Sequence, residues 1–283
     1  MIGMWGSRRA GKSTFLAALY YEVNQRSESE DERWQMMGQG PAADLIEEAY
    51  KRFVGQRFPE LTLPGGTLEP LRFDITRPLP TTTRNATVAP RSSWWSRCVS
   101  RFRSLLQQLS EGGADVTHIE LSMFDPSGEL FRDPTRLMSD IDPSAAPCRQ
   151  MLSNSNGLLC MIDPEPEENE HYFPIIWRNF LNISELMNGP GGGPLPIPVA
   201  ICVTKCDQYP DAFKDPRAFL RERMGLTAFK ALADFCPHRA YFAVSAIGHD
   251  NLIVSENEPS RPKGEPNPIN VLQPIEWLSD NMR

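Results

Sequence analysis

The sequence predicts an α/β fold in three layers, a mainly parallel sheet of about six strands with helices on both faces and several insertions. Three observations predict it. Strand-like and helix-like segments alternate along most of the 283 residues, as in a chain of βαβ units. Two strand-like runs, Gly157–Ile162 and Val199–Thr204, are apolar throughout, as strands covered on both faces require. The first strand-like stretch, Ile2–Trp5, runs through a glycine-bounded turn into a helix-like run, Thr14–Val23.

Taken in order, the strand Ile2–Trp5 is followed by helices over Ser13–Gln25 and Ala42–Phe53. A second strand, Leu71–Ile75, precedes a helix over Trp94–Leu109. His118–Phe124 alternates well enough for a half-buried strand. Strand Gly157–Ile162 is followed by helix His171–Met187, and strand Val199–Thr204 by helix Pro216–Phe235. Tyr241–Val244 is the last strand, and a helix over Val271–Leu278, within about 269–281, ends the chain. Pro- and Gly-rich loops at Pro59–Gly66, Asn188–Pro198 and Glu256–Pro268 separate these elements. The whole of 1–283 reads as a single domain without internal repeats.

Composition narrows the classes. A hydrophobic share of 40% supplies a substantial core, and a formal net charge of −7 argues against a general nucleic-acid binder. The six cysteines form no C-x-x-C pair, and Cys202 and Cys206 have no partner pair or nearby histidine to complete a zinc site. Reduced thiols in a cytoplasmic protein are the expectation. The longest apolar runs are about six residues, far below the ~20 that span a bilayer. The first strand begins almost at Met1, as expected of a domain cut from a longer chain or one that has lost a short leader.

The chemistry lies in four short segments. Gly6-Ser7-Arg8-Arg9-Ala10-Gly11-Lys12-Ser13 is a complete G-x-x-x-x-G-K-[ST] phosphate-binding loop. In this pattern backbone N–H groups cradle a phosphate chain, the lysine reaches the β- and γ-phosphates, and the serine hydroxyl ligates Mg²⁺. Thr14 opens the following helix, whose N-terminus favours an anion. After strand His118–Phe124 come Asp125 and, three residues on, Gly128. A carboxylate at that strand end is a second Mg²⁺-side group, and the Gly128 N–H can sense a γ-phosphate. D-x-x-G alone is a common turn. Thr204-Lys205-Cys206-Asp207 ends strand Val199–Thr204, and Ser245-Ala246 follows the last strand. An isolated T-K-C-D reads as an N-cap aspartate. Its place in the order of the four segments, each at the carboxyl end of a predicted strand, argues for a ligand edge.

In that order the chain resembles P-loop GTPases of the translation-factor and Ras-like (TRAFAC) class, and within it the insert-rich bacterial double-GTPase-type domains. The resemblance spans residues 6 to 246. It implies a P-loop NTPase fold and a Mg²⁺-dependent GTP-binding, GTP-hydrolysing switch. It implies that Asp207 accepts from guanine N1–H and the 2-amino group, that Lys205 lies along the purine face, and that the Ser245-Ala246 backbone donates to guanine O6. Thr67, with Thr62 as rival, stands where such domains place a Mg²⁺-ligating switch threonine. Glu129 occupies the place of the glutamine that orients the attacking water, so fast intrinsic hydrolysis is in question. Arg8 and Arg9 resemble the loop arginine of guanylate-binding-protein-like GTPases, an arginine finger in cis worth ~10³–10⁵ in rate; an outward, salt-bridged arginine is the plain alternative. Two other classes stay open: an ATPase or nucleotide kinase on the same fold, and a nucleotide-bound interaction module with negligible hydrolysis.

Between Asp74 and Glu111 the chain has no acidic residue but six arginines, Arg77, Arg84, Arg91, Arg97, Arg101 and Arg103. Trp94, Trp95, Cys98, Phe102, Leu105 and Leu109 would mark one side of a helix there. This basic, aromatic insertion, about 77–115, reads as a helix docked on its own domain, as a partner or homodimer contact, or as a peripheral membrane contact through 91–109. The acids of Asp163–Glu170 read as a solvated loop and helix start rather than a metal site.

Overall fold

The structure, a computed structural model, describes residues 1–27, 34–59, 69–78, 116–124, 127–164, 172–253 and 261–282. Seven strands form one sheet in the order β2-β3-β4-β1-β5-β6-β7. They are β1 (Ile2–Gly6), β2 (Gln35–Gly38), β3 (Leu71–Pro78), β4 (Val116–Met123), β5 (Gly157–Ile162), β6 (Val199–Val203) and β7 (Arg239–Ala243). From β4 across β1, β5 and β6 to β7 every pairing is parallel. Within this sheet only β2 with β3, and β3 with β4, run antiparallel.

The helices follow from side-chain period. In the described residues they are α1 (Lys12–Ser27), α2 (Pro41–Val54), α3 (Ser127–Arg132), α4 (Pro134–Leu137), α5 (Ala145–Ser153), α6 (Tyr172–Asn188), α7 (Pro210–Lys214), α8 (Pro216–Met224), α9 (Leu226–Phe235) and α10 (Gln273–Asn281). In α2 the buried residues Ala42, Ile46, Ala49 and Phe53 recur at helical spacing, and Lys51 and Arg52 pair with Glu47 and Glu48 one turn back. Proline opens the helix, where its missing N–H costs nothing. A Cβ at Gly38 would lie 2.4 Å from the Ala42–Ala43 backbone, so glycine is what lets β2 turn this closely into α2.

The central strands alternate between two cores. Ile2 and Met4, Leu159 and Met161, Ala200 and Cys202 face one core, with Leu16, Leu19, Ile46 and Ile275 from α1, α2 and α10. Trp5, Leu158, Cys160, Ile162, Ile201 and Val203 face the other, with Phe131, Phe180, Leu220 and Leu232 from α3, α6, α8 and α9. That period of two across fully buried strands makes three layers.

The sequence expectations differ from this in definite places. The sheet has a seventh strand, β2. The single helix expected over Pro216–Phe235 is two, separated at Gly225, whose φ of 76° and ψ of 156° no helix accommodates. Asp215 caps the first of them by accepting from the Ala218 N–H at 2.9 Å. The helical content between β4 and β5, α3 to α5, was not expected. Of the basic insertion, residues 79–115 lie outside the described residues; Arg77 belongs to β3 and donates to Asp280 of α10 at 2.6 Å. Among the described residues no helix is long and apolar enough to cross a membrane.

Candidate functional site

Because β1, β5, β6 and β7 are parallel neighbours, their carboxyl ends open on one edge of the sheet. In register, Gly6 stands beside Met161, Ile162 beside Val203, and Val203 beside Ala243. The loop after β1, Asp163 after β5, Thr204–Asp207 after β6 and Ser245–Ala246 after β7 therefore lie along that edge, strands being ~4.8 Å apart.

The loop of residues 6–13 wraps the end of α1. Arg9 has φ of 65° and Gly11 φ of 82°, so two left-handed residues curl the chain toward the helix N-terminus. The Ala10 N–H donates to the Ser7 carbonyl at 3.2 Å, closing the turn. Lys12 is 9% exposed, and its ammonium donates to the Gly6 and Ser7 carbonyls, both at 2.8 Å. The amine thus stands inside the loop rather than in solvent. Ser13 and Thr14 are half-buried in the first turn of α1. Arg8 and Arg9 are exposed. A loop of this curvature, with a buried cation and a helix N-terminus behind it, is able to hold a phosphate chain.

The second half of the edge is tied together by its own polar groups. Thr204 donates through both N–H and hydroxyl to the Ile162 carbonyl, at 2.9 and 3.1 Å. Lys205 is left-handed, with φ of 54° and ψ of 30°, and its ammonium reaches the Asp163 carboxylate at 2.6 Å. The Cys206 N–H donates to the Val244 carbonyl at 3.2 Å. The Ser245 hydroxyl donates to Asp207 Oδ1 at 2.7 Å and accepts from the Gly248 N–H at 2.9 Å. Asp207 and Ser245, 38 residues apart in sequence, are thereby one unit. The Ser245 N–H is committed to the Ile269 carbonyl at 3.1 Å, so Ala246 carries the amide available to a ligand from this pair.

Glu129 lies in the first turn of α3. Its side chain is 61% exposed and its carboxylate 3.7 Å from Arg136, which in turn holds Asp142 at 2.7 Å. The Ser144 hydroxyl and N–H, with Arg136, hold the Asp142 carboxyl below its ordinary range. Gly128 falls in the same turn of α3. Asp125, Thr62 and Thr67 lie outside the described residues, so the expected Mg²⁺ ligands beyond Ser13 have no described geometry. Among the described residues no group of three or more His, Cys, Asp or Glu could hold a metal.

Cys206, inside T-K-C-D, is a core plug. Burial pushes its thiol up to about 12, and that of Cys160 likewise to about 12; Cys148, Cys202 and Cys236 are raised by burial as well. Thiolate is the reactive form. Iodoacetamide at pH 8 is therefore expected to leave these five cysteines unmodified in the folded protein and to label them on unfolding, read by intact mass. Rapid labelling of Cys206 in the native state would contradict the packing of the T-K-C-D turn.

Asp163 is the residue that sequence reasoning missed. As the first acid of a run of five it reads as the start of a solvated loop. Its signal is positional: it is the first polar residue after an all-apolar strand, at the ligand edge of the sheet.

No family model matches the chain, and no curated protein matches it in sequence. Among solved structures it is similar to the GTPase-like domain of S. cerevisiae Ski7 bound to GTP, at 12% identity and a TM-score of 0.39, over 93% of this chain and 47% of that one. It is also similar to Sup35 complexed with GDP, at 9% identity and a TM-score of 0.32, over 89% of this chain and 38% of that one. The chain spans less than half the length of either structure. Its own topology, a central parallel strand feeding a G-x-x-x-x-G-K-S loop and a helix within a three-layer α/β sheet, is that of a P-loop NTPase-like fold.

Proposed function

We propose that the chain binds a guanine nucleotide with Mg²⁺ and hydrolyses GTP as a conformational switch. The observation that carries this is the joining of Asp207 to Ser245 at the sheet edge that also presents the Lys12 loop. Lys12 and the loop amides of Gly6, Arg8, Arg9 and Gly11 bind the phosphates, and the Ala10 amide, bonded to the Ser7 carbonyl, closes the turn that presents them. Ser13 offers a hydroxyl and Asp125 a carboxylate, with Thr67 as a third oxygen donor. That all-oxygen set suits Mg²⁺, which when bound neutralises charge on the β- and γ-phosphate oxygens. Gly128 senses the γ-phosphate. Arg8 or Arg9 stabilises charge that develops near the β–γ bridge.

Base selection belongs to Asp207. Its Oδ1, oriented by the Ser245 hydroxyl, keeps acceptor capacity for guanine, since a carboxylate accepts up to about four hydrogen bonds. Adenine lacks the matching pair of donors and would leave the remaining acceptor positions of the carboxylate unfilled in a half-buried site. The Ala246 amide faces guanine O6, and the Lys205 stem lies on the purine face. Water is the nucleophile; positioning and electrostatics supply the rate.

A second reading, a nucleotide-bound interaction module with negligible turnover, is favoured by one observation. The carboxylate that replaces a water-orienting glutamine, Glu129, stands beside Arg136. Partners on this reading are a protein or a second copy of the chain.

Calorimetry of GDP and ADP, each with Mg²⁺, on nucleotide-stripped protein is the test. GDP is expected to bind at least about a hundredfold more tightly, a difference of roughly 2.7 kcal/mol. Equal or tighter ADP binding would replace this reading with an ATPase or nucleotide kinase on the same fold. With GDP preferred, release of phosphate from GTP separates the switch from the module.

A further inference from the structure

We infer that Asp163 is a specificity-positioning residue: it anchors the Lys205 ammonium and thereby lays the lysine stem as a platform for the purine ring. The inference rests on the guanine-binding reading above and names a residue that the motif pattern does not contain. Three bonds sew the end of β5 to the T-K-C-D turn, two at the Ile162 carbonyl and one at the Asp163 carboxylate.

The pair is asymmetric. The Asp163 side chain is 4% exposed and that of Lys205 is 34% exposed. Removing one partner from a pair whose carboxylate lies this deep is costly. The lysine, by contrast, has a water-facing alternative. Left to itself, a flexible four-carbon stem swings its ammonium into solvent, and a platform for an aromatic ring is lost with it. Two devices prevent this. The left-handed backbone at Lys205 aims the stem, a conformation that L-residues adopt only under constraint. The constraint comes from Thr204 and Cys206 on either side, bonded to Ile162 and Val244. The Asp163 carboxylate then fixes the far end at 2.6 Å. Asp163 acts through Lys205 and is a positioning residue.

The test is the rate of GDP release from the full chain, with a fluorescent GDP analogue chased by excess GDP, in a double-mutant cycle. Asp163→Asn keeps the shape and removes the charge. It is expected to speed release about tenfold, in the range of a cation–aromatic contact. Lys205→Met keeps the stem without the ammonium. The combined Asp163→Asn/Lys205→Met variant has no buried unpaired charge, and so remains assayable even where a single variant melts. It is expected to release GDP no faster than the faster single variant, and Asp163→Glu within about threefold of the parent, because the cycle is strongly non-additive when one residue acts through the other. Parent-like release from both Asp163→Asn and the combined variant would overturn the inference while leaving guanine binding intact, as would effects that simply add. A purely structural role lowers the melting temperature without changing the release rate. A parent protein that fails to bind GDP removes the guanine reading itself, and the role of Asp163 with it.

Discussion

Lys12→Ala is expected to weaken GDP binding by about 10²–10³, with the fold retained, because it removes a preplaced, nearly buried charge from the loop. The amine is held before any ligand arrives: the Gly6 and Ser7 carbonyls receive it at 2.8 Å and it is nearly buried. A cation fixed in this way loses little freedom on meeting a phosphate. The substitution also leaves two loop carbonyls without that donor. Each lost bond costs about 1 kcal/mol of stability, and a domain of this size then melts several degrees lower. Two instruments keep the effects apart. Calorimetry reads the affinity and a thermal melt followed by circular dichroism reads the fold. GDP affinity within about threefold of the parent, in a protein that melts normally, would show that the loop holds no phosphate chain.

Asp207→Ala carries the other large effect and a different signature. Two hydrogen bonds to a charged acceptor are lost, each worth about 1.5–3 kcal/mol, so GDP affinity is expected to fall at least a hundredfold. ADP affinity is expected to stay where it was, because the phosphates and the purine face are held elsewhere. The preference between the bases should therefore collapse rather than shift as a whole. Ser245→Ala tests the same point at one remove. The Ser245 hydroxyl orients Asp207 and also receives the Gly248 N–H, so its loss is expected to cost GDP affinity by a smaller factor and stability as well. Equal losses for GDP and ADP in Asp207→Ala would mean that the carboxylate serves the turn and not the base.

How much of this could be read in advance depends on which residues carry the information. The strand β5 is bounded in the structure as the apolar run bounds it, Gly157–Ile162, because burial on both faces leaves no polar residue inside it. The strand β2 had no such mark. Gln35–Gly38 is short, exposes Gln35 and Met37, and exists as a strand through its pairing with Phe73–Thr76. Helices α3 to α5 are too short for a period to stand out, and the Asp133 cap and Pro134 that divide them read equally well as a turn. Gly225 shows the opposite failure: the apolar period continues across it while its backbone does not. At the site, the loop was legible since Gly11 is demanded by its positive φ and Lys12 is drawn in by the Gly6 and Ser7 carbonyls. Asp163 was not, because a buried partner for Lys205 is a property of three-dimensional neighbourhood, and its sequence neighbours, acids at 165, 167, 168 and 170, suggested water.

The strand that feeds the loop, β1, has both of its neighbours far away along the chain. Ile2 stands between Leu121 and Gly157, so β1 has no strand to pair with until about 120 residues more have been made, and its second neighbour comes only after about 155. At the usual pace of synthesis, about 5–20 residues per second, the wait for the first of them is on the order of 6–24 s. During it a fully apolar strand is exposed beside a growing helix. Loop closure over such separations is slow, and unpaired apolar strands are where nascent chains aggregate. The loop edge of the sheet thus closes only once β4 and β5 have been made, long after the strand that carries the loop, and until then β1 depends on whatever shields it.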